Sequence, residues 1–373
     1  MATCQPKALA GDVPCVGIAP FATKVPKGEA CSKLAATIKV KPLCGYPGCL
    51  EEVIMCTGIR FVDKSGNMYF GRNLDWSCSY GERVVITPTG YVPVSPFGAV
   101  REIRHAVLGM GIVEDGVPLY FDCANDKGLA VAGLNFPGYA HYEPGPVEGK
   151  TNVAAYEFAL WVVASFSSVD EVEAALANCA IVDKPINGTY PSSLLHWIVG
   201  DALRSIVVEH TARGLQVFHN HFDVLANQPG FAWHAENVRN YLNVTPEVPG
   251  PLAWQSAELT AYGSGGGMRG LPGDYYSPSR FVRAAYLNAH YPHKASEEEN
   301  VSRLFHTLTG VAMTDGAARM IDGDFERTIY TGGVSCRTNT YYFSTYEDPA
   351  IRSVALADYD TTGGELVQVG ESR

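Results

Sequence analysis

Cys56 directly follows Met55 and precedes Thr57 and Gly58. If Met55 starts the working chain and is then removed, one residue carries both a thiol and a free α-amine. With an ordinary pKa of about 7.7–8.0, that amine can take the proton of its own side chain near neutral pH, and no separate histidine is required. The Gly-Arg-Asn-Leu-Asp run at 71–75 adds Arg72, whose charge favours thiolate over thiol, and Asp75, which can hold the amine or ammonium in register. Read without chemistry, the same residues are a strand cysteine beside a surface ion pair.

Other candidates carry less. The glycine-rich stretch 263–270 lacks the Lys-Ser/Thr ending of a phosphate loop and joins no strand to a helix, so it reads as a flexible loop. His219 and His221 flank Asn220 on a strand, so both imidazoles could face one side as metal ligands, but no third ligand follows at a recognisable spacing. Cys44 and Cys49 have no second pair or nearby histidine. Cys78, Cys123, Cys179 and Cys336 read as ordinary buried or half-buried thiols. Neither a metal nor a cofactor is expected.

The elements that must position Cys56 begin with a hairpin: a strand at 56–63, a turn at 64–67 and its antiparallel partner at 68–73. Further strands are predicted at 83–88, 106–108, 119–122 and 129–134. Helices follow at 154–166 and, from a Ser168 to Glu171 capping box, through Ala177. A second hairpin at 205–220 turns at 211–214. Helices at 279–290 and 300–313 precede strands at 328–330, 340–345 and 351–358. Blocks of strands and helices in this order give an α+β fold with two antiparallel sheets covered by helices.

The chain has 373 residues, 28 Lys and Arg against 39 Asp and Glu, and 46% hydrophobic content. A net charge of −11 argues against nucleic acid and anionic membranes as partners. No run is long and apolar enough to span a bilayer, and no secretory signal is visible, so a cytoplasmic protein with reduced thiols is expected. Residues 1–55 differ from the rest. They carry six Lys and four acidic residues, six Pro and five Gly, and half of the ten cysteines. They are read as a leader, a propeptide or an over-extended reading frame, with 56–373 as the catalytic domain. Glu51-Glu52-Val53 can be encoded as a purine-rich ribosome-binding sequence ahead of Met55, which makes Met55 a candidate start.

Several ordered motifs resemble the choloylglycine hydrolase family of bile salt hydrolases and penicillin V acylases. They are Met-Cys-Thr-Gly at 55–58, Phe-Gly-Arg-Asn-Leu-Asp at 70–75, Asn-Asp-Lys-Gly-Leu at 125–129, Ala-Gly-Leu-Asn-Phe-Pro at 132–137, Val-Leu-Ala-Asn at 224–227 and Ser-Pro-Ser-Arg-Phe at 277–281. The resemblance implies a four-layer αββα N-terminal-nucleophile hydrolase sandwich. It implies Cys56 as nucleophile, Arg72 and Asp75 as its close partners, Asn135 and Asn227 framing the oxyanion, and Arg280 completing the polar cluster. Asn at 135, where penicillin V acylases of the family carry Tyr, favours a glycine- or taurine-conjugated bile salt as substrate, with water as the second reactant. Leu74 and Phe136, with the 79–83 and 181–186 loops, are expected to line the steroid cleft. The stretch 240–270 resembles the family's projecting assembly loop and implies a homotetramer. A penicillin V acylase or related N-acyl amide or lactone hydrolase, and a non-catalytic steroid-binding protein, are the alternative readings. A chain that keeps residues 1–55 has the nitrogen of Cys56 acylated and is expected to be inactive.

Overall fold

The computed structural model describes residues 55–99, 101–188, 190–321 and 323–370. All of them fall in a unit that spans Val40–Arg373. The chain opens with β1 (Met55–Val62), β2 (Met68–Trp76), β3 (Arg83–Thr87), β4 (Val107–Glu114), β5 (Val117–Asn125), β6 (Ala130–Asn135) and β7 (Thr151–Ala154). Helices α1 (Phe158–Ser165) and α2 (Val169–Leu176) follow, then β8 (Cys179–Val182), β9 (Leu195–Gly200), β10 (Ser205–Thr211), β11 (Gly214–His219) and β12 (Val224–Leu225). Next come α3 (Phe231–Asn237), β13 (Leu252–Trp254), β14 (Ala257–Leu259), α4 (Ser277–His290) and α5 (Glu297–Thr309). The chain closes with β15 (Ala318–Arg319), β16 (Phe325–Ser335), β17 (Thr340–Thr345), β18 (Arg352–Ala355) and β19 (Val367–Val369).

Two large antiparallel sheets form the centre. One runs in the order β12-β1-β2-β16-β17-β18, with β15 beside β16, and the other in the order β11-β10-β9-β6-β5-β4-β3-β19. Met68, Phe70 and Leu74 of the first sheet share a core with Leu108, Ala132, Leu134 and Ile198 of the second. Phe281, Leu304 and Leu308 of α4 and α5 cover the outer face of the first sheet. Phe158, Val162 and Val172 of α1 and α2 pack against Val131, Trp197 and Val199 on the outer face of the second. This is the α+β, αββα sandwich expected from the sequence. Because both sheets are covered on both faces, nearly every residue of β1, β2 and β16 is buried.

The differences from expectation lie in local signals. The strand expected at 106–108 continues to Glu114, because Gly109 and Gly111 are not breaks. A Cβ on Gly109 would stand 2.5 Å from the Cα of Cys123, so glycine there permits close backbone approach within the sheet. The helix expected at 300–313 is α5, starting at Glu297. Ser296 and Glu299 form a reciprocal capping box, and three glutamates fill the first turn. The helix expected at 154–166 opens as a 3-10 turn at Ala155–Glu157 and becomes α-helical at Phe158, the Glu157 carboxylate capping the start by accepting from the Ala154 N–H at 3.0 Å. At α2 the Ser168 hydroxyl accepts from Glu171 N as the cap requires, while the Glu171 carboxylate takes the Ser167 N–H. Among the described residues, no helix is long and apolar enough to cross a membrane.

Candidate active site

The register of the opening hairpin decides who meets whom. Met55 pairs with Asp75, Cys56 with Leu74, Thr57 with Asn73 and Gly58 with Arg72. Opposite residues share a face and alternate along each strand, so Cys56, Gly58, Arg72 and Leu74 point between the sheets. Met55, Thr57, Asn73 and Asp75 point to the helical layer. The side-chain contacts agree: Asn73 Nδ2 donates to the Leu308 carbonyl in α5, and Thr57 Oγ1 accepts from Arg280 in α4. With no side chain at Gly58, the Arg72 guanidinium runs diagonally to the cysteine.

Arg72 Nη2 stands 2.5 Å from Cys56 Sγ. Its Nη1 donates to the carbonyls of Gly133 at 2.6 Å and Phe121 at 3.0 Å, and its Nε to that of Asn73 at 3.2 Å. The next residue after Phe121 is Asp122, a buried carboxylate whose two oxygens accept the Tyr330 hydroxyl at 2.5 Å and the Tyr341 hydroxyl at 2.7 Å. Burial works against the Arg72 charge, and Cys56, Tyr330 and Asp122 more than restore it. Asp122, Tyr330 and Tyr341 are not among the site residues expected from the sequence.

Burial pushes the Cys56 thiol up, with Arg72 opposing, Asp75 adding to the rise, and the Asn135 main-chain N–H and Arg280 opposing it. The balance favours the neutral thiol while the nitrogen of Cys56 is an amide. A buried thiol in this position needs a base to ionise.

β12 pairs with β1 through Gly58 and Leu225, and Asn227, two residues further on, comes level with Cys56. Its Oδ1 accepts from Cys56 N at 2.7 Å and from Arg280 Nη2 at 2.7 Å, and its Nδ2 donates to the Asn135 carbonyl at 2.8 Å. Two donors on one end and an acceptor on the other leave a single orientation for this amide. His234 Nε2 bonds the Asn227 carbonyl at 2.9 Å, and its ring stacks on Phe281 of α4. Burial brings the His234 pKa down to about 4, so it is neutral at physiological pH. Arg280 is fully buried and also donates to Thr57 Oγ1, to the Cys56 carbonyl and to the Tyr275 carbonyl.

The five other polar residues singled out for the site therefore converge on Cys56, in two sets. Arg72 and Asn135 approach the sulfur from between the sheets. Asn227, Arg280 and Asp75 approach the main chain. Asp75 differs from expectation: it occupies the face opposite the thiol, its Oδ1 accepts the Thr328 hydroxyl at 2.6 Å, and it is Asn227 that accepts from the nitrogen of Cys56. A bulge between Thr328 and Tyr330 in β16 sets that hydroxyl on Asp75. Leu74 and Phe136 were expected to line a cleft, but both are buried. Phe136 stacks on His196 with ring centroids 4.1 Å apart and offers no surface to a ligand in this conformation. Of the two expected cleft loops, 79–81 is exposed, whereas Ile181 and Val182 are buried in β8.

His219 and His221 lie side by side on the surface. Among the described residues no three His, Cys, Asp or Glu side chains gather as a metal site would require. Cys44 and Cys49, and the rest of the leader up to Ile54, lie outside the described residues.

A model of the choloylglycine hydrolase family, described as linear amide C–N hydrolases, matches residues 56–368. A protein of Bifidobacterium longum subsp. longum named bile salt hydrolase/transferase is 58% identical over 316 residues, covering 84% of this chain and 99% of that protein. A conjugated bile acid hydrolase of Lactobacillus acidophilus is 43% identical over 314 residues, covering 84% of this chain and 99% of its own. A crystal structure of a variant of the conjugated bile acid hydrolase from Clostridium perfringens superposes with a TM-score of 0.80 at 37% identity, covering 85% of this chain and 97% of that one.

Proposed function

We propose, from the premise that the chain belongs to the choloylglycine hydrolase family of linear amide C–N hydrolases, that it cleaves the amide of glycine- or taurine-conjugated bile salts with Cys56 as an N-terminal nucleophile. The observation that carries this reading is the 58% identity to a protein named bile salt hydrolase/transferase over nearly all of that protein's length.

In the active form the bond before Cys56 is cut. The freed amine takes the thiol proton, and the thiolate beside Arg72 attacks the substrate carbonyl. The carbonyl oxygen becomes an oxyanion facing the Asn135 N–H and the Asn227 Nδ2, where one well-placed donor contributes about 2.7–4 kcal/mol. The ammonium returns its proton to the departing nitrogen, glycine or taurine leaves, and a thioester remains on Cys56. Water, giving its proton to the amine, attacks the thioester and releases the bile acid. Asp75 and Arg280 steady the main chain of Cys56 through these steps. Residues 1–55 are absent from this form, because an acylated nitrogen has no lone pair available to accept the thiol proton.

Exposed apolar side chains on and around the β13–β14 hairpin, among them Leu252, Trp254 and Tyr262, support assembly into a homotetramer. The test of the activity compares the full chain with one begun at Met55, each characterised by intact mass and assayed for release of glycine and taurine. Expected is release only from protein whose mass begins at Cys56. Processed protein that leaves conjugated bile salts intact while cleaving phenoxyacetyl penicillin would overturn the substrate. Full-rate turnover with residues 1–55 still attached would overturn the mechanism.

A further inference from the structure

Glu326 is a buried carboxylate that the reaction above does not use, and its position on β16 is specific. Thr328 pairs with Asp75, so Glu326, two residues earlier, faces the same helical layer as Thr328, Asp75 and Met55. Its Oε1 accepts the Met55 N–H at 2.7 Å. Beside it, Asp75 uses Oδ1 for the Thr328 hydroxyl, and its Oδ2 is buried with no hydrogen-bond partner among the described residues. Two carboxylates thus meet the chain where it enters β1.

The charged groups facing Glu326 are Asp75 from β2 and Arg280 from α4. Arg280 directs its four hydrogen bonds to the Tyr275 and Cys56 carbonyls, the Thr57 hydroxyl and Asn227 Oδ1, and none to a carboxylate. Counting Asp122, three buried carboxylates surround two buried guanidiniums, Arg72 and Arg280. The cluster is short of one positive charge. Burial, reinforced by Asp75, accordingly pushes Glu326 up to about 8, and burial pushes Asp75 up to about 6.

We propose that Glu326 is a positioning residue for the α-ammonium of Cys56, closing on it with Asp75 once Met55 has been removed. The inference rests on the reading of Cys56 as the N-terminal residue. Removal of Met55 takes away the N–H that Glu326 holds in the uncut chain. It also creates, one residue along the same strand, a cationic group with three N–H bonds in place of one. Asn227 Oδ1 already accepts from that nitrogen, and the two carboxylates supply the missing acceptors and the compensating charge. An ammonium held this way keeps its proton to higher pH and remains able to protonate the leaving nitrogen.

The experiment measures kcat/KM against pH for processed wild type, Glu326→Gln and Glu326→Asp with a glycine-conjugated bile salt. Loss of the carboxylate charge is expected to move the alkaline limb to lower pH by about 1 unit, with Glu326→Asp returning it toward wild type. A limb that stays in place in an otherwise active Glu326→Gln overturns the proposal. Should that variant not fold, a crystal structure of processed wild type decides: a Glu326 oxygen within hydrogen-bond distance of Cys56 N supports the role, and a carboxylate turned away overturns it. Because this second measurement needs no turnover, a processed protein that cleaves no amide would defeat the reading of Cys56 while still deciding the place of Glu326.

Discussion

The Asn227 side-chain amide donates to the main-chain carbonyl of Asn135 at 2.8 Å, tying the edge of one sheet to the end of a central strand of the other. The same amide is held at its oxygen by Cys56 N and Arg280. Its orientation is therefore set before any substrate arrives. Preorganised donors of this kind act on the developing oxyanion, so Asn227→Ala is expected to lower kcat by about 10²–10³ with a smaller change in KM. Steady-state kinetics on processed protein checks this. A variant that changes KM alone would place Asn227 in substrate binding.

Arg72 meets the sulfur and three carbonyls with a planar fork that an ammonium cannot reproduce. Arg72→Lys keeps the charge and leaves some of the buried carbonyls unpaired, each at a cost of about 1–3 kcal/mol. The variant should show a lower urea midpoint and slower alkylation of Cys56 at neutral pH than wild type. Unchanged alkylation with reduced stability would make Arg72 purely structural.

The hairpin that carries Cys56, Arg72 and Asp75 was legible because its pairing is local, and alternation plus a Lys-Ser-Gly-Asn turn fixes the register. Nothing local announces Asp122, Tyr330, Tyr341 or Glu326. Their contacts span sequence separations of 208, 219 and 271 residues and arise only from the assembly of the sheets, and Glu326 falls outside the strand expected at 328–330. The opposite faces taken by Arg72 and Asp75 did follow from strand alternation. Asp75's partner did not, because it depends on a bulge in β16. Phe136 follows Asn135 directly, and strand alternation turns such neighbours to opposite faces, so it packs on His196 instead of lining a cleft.

In a chain that retains Met55, the raised carboxyls of Asp75 and Glu326 make stability depend on pH. A carboxyl whose folded pKa lies above its unfolded value binds its proton more tightly when folded. Its stabilisation is complete below the unfolded value, about 3.9 for Asp and 4.3 for Glu, and disappears as pH rises through the folded value. With folded values of about 6 and about 8, the loss falls between roughly pH 4 and pH 8. Urea unfolding at pH 5 and pH 8 should show a larger drop for the unprocessed wild type than for unprocessed Glu326→Gln. Parallel drops would mean that Glu326 titrates normally in the folded chain.

Trp254 is 69% exposed on the short β13–β14 hairpin, with Leu252 on the same strand 58% exposed. Their apolar area is a reason for chains to associate, at about 25 cal/mol for each Å² removed from water. If the proposed homotetramer forms through this hairpin, Trp254→Glu is expected to shift it toward smaller species in light scattering coupled to size exclusion. A wild type that elutes as a clean monomer would remove this role from the hairpin.

A thioester on Cys56, as proposed, would be an acyl donor, and water need not be its only acceptor. A neutral amine attacks the same carbonyl, sulfur departs as thiolate, and the proton released by the amine passes to the α-amine of Cys56. Hydroxylamine added to processed enzyme and a conjugated bile salt is therefore expected to divert product from free acid to hydroxamate, in proportion to its concentration. Mass spectrometry of the products measures the partition. Taurine or glycine release should stay constant if acylation limits turnover, and should rise if breakdown of the thioester does. Continued hydrolysis with no hydroxamate at any concentration would mean that water attacks the amide directly, and the covalent role of Cys56 would have to be abandoned.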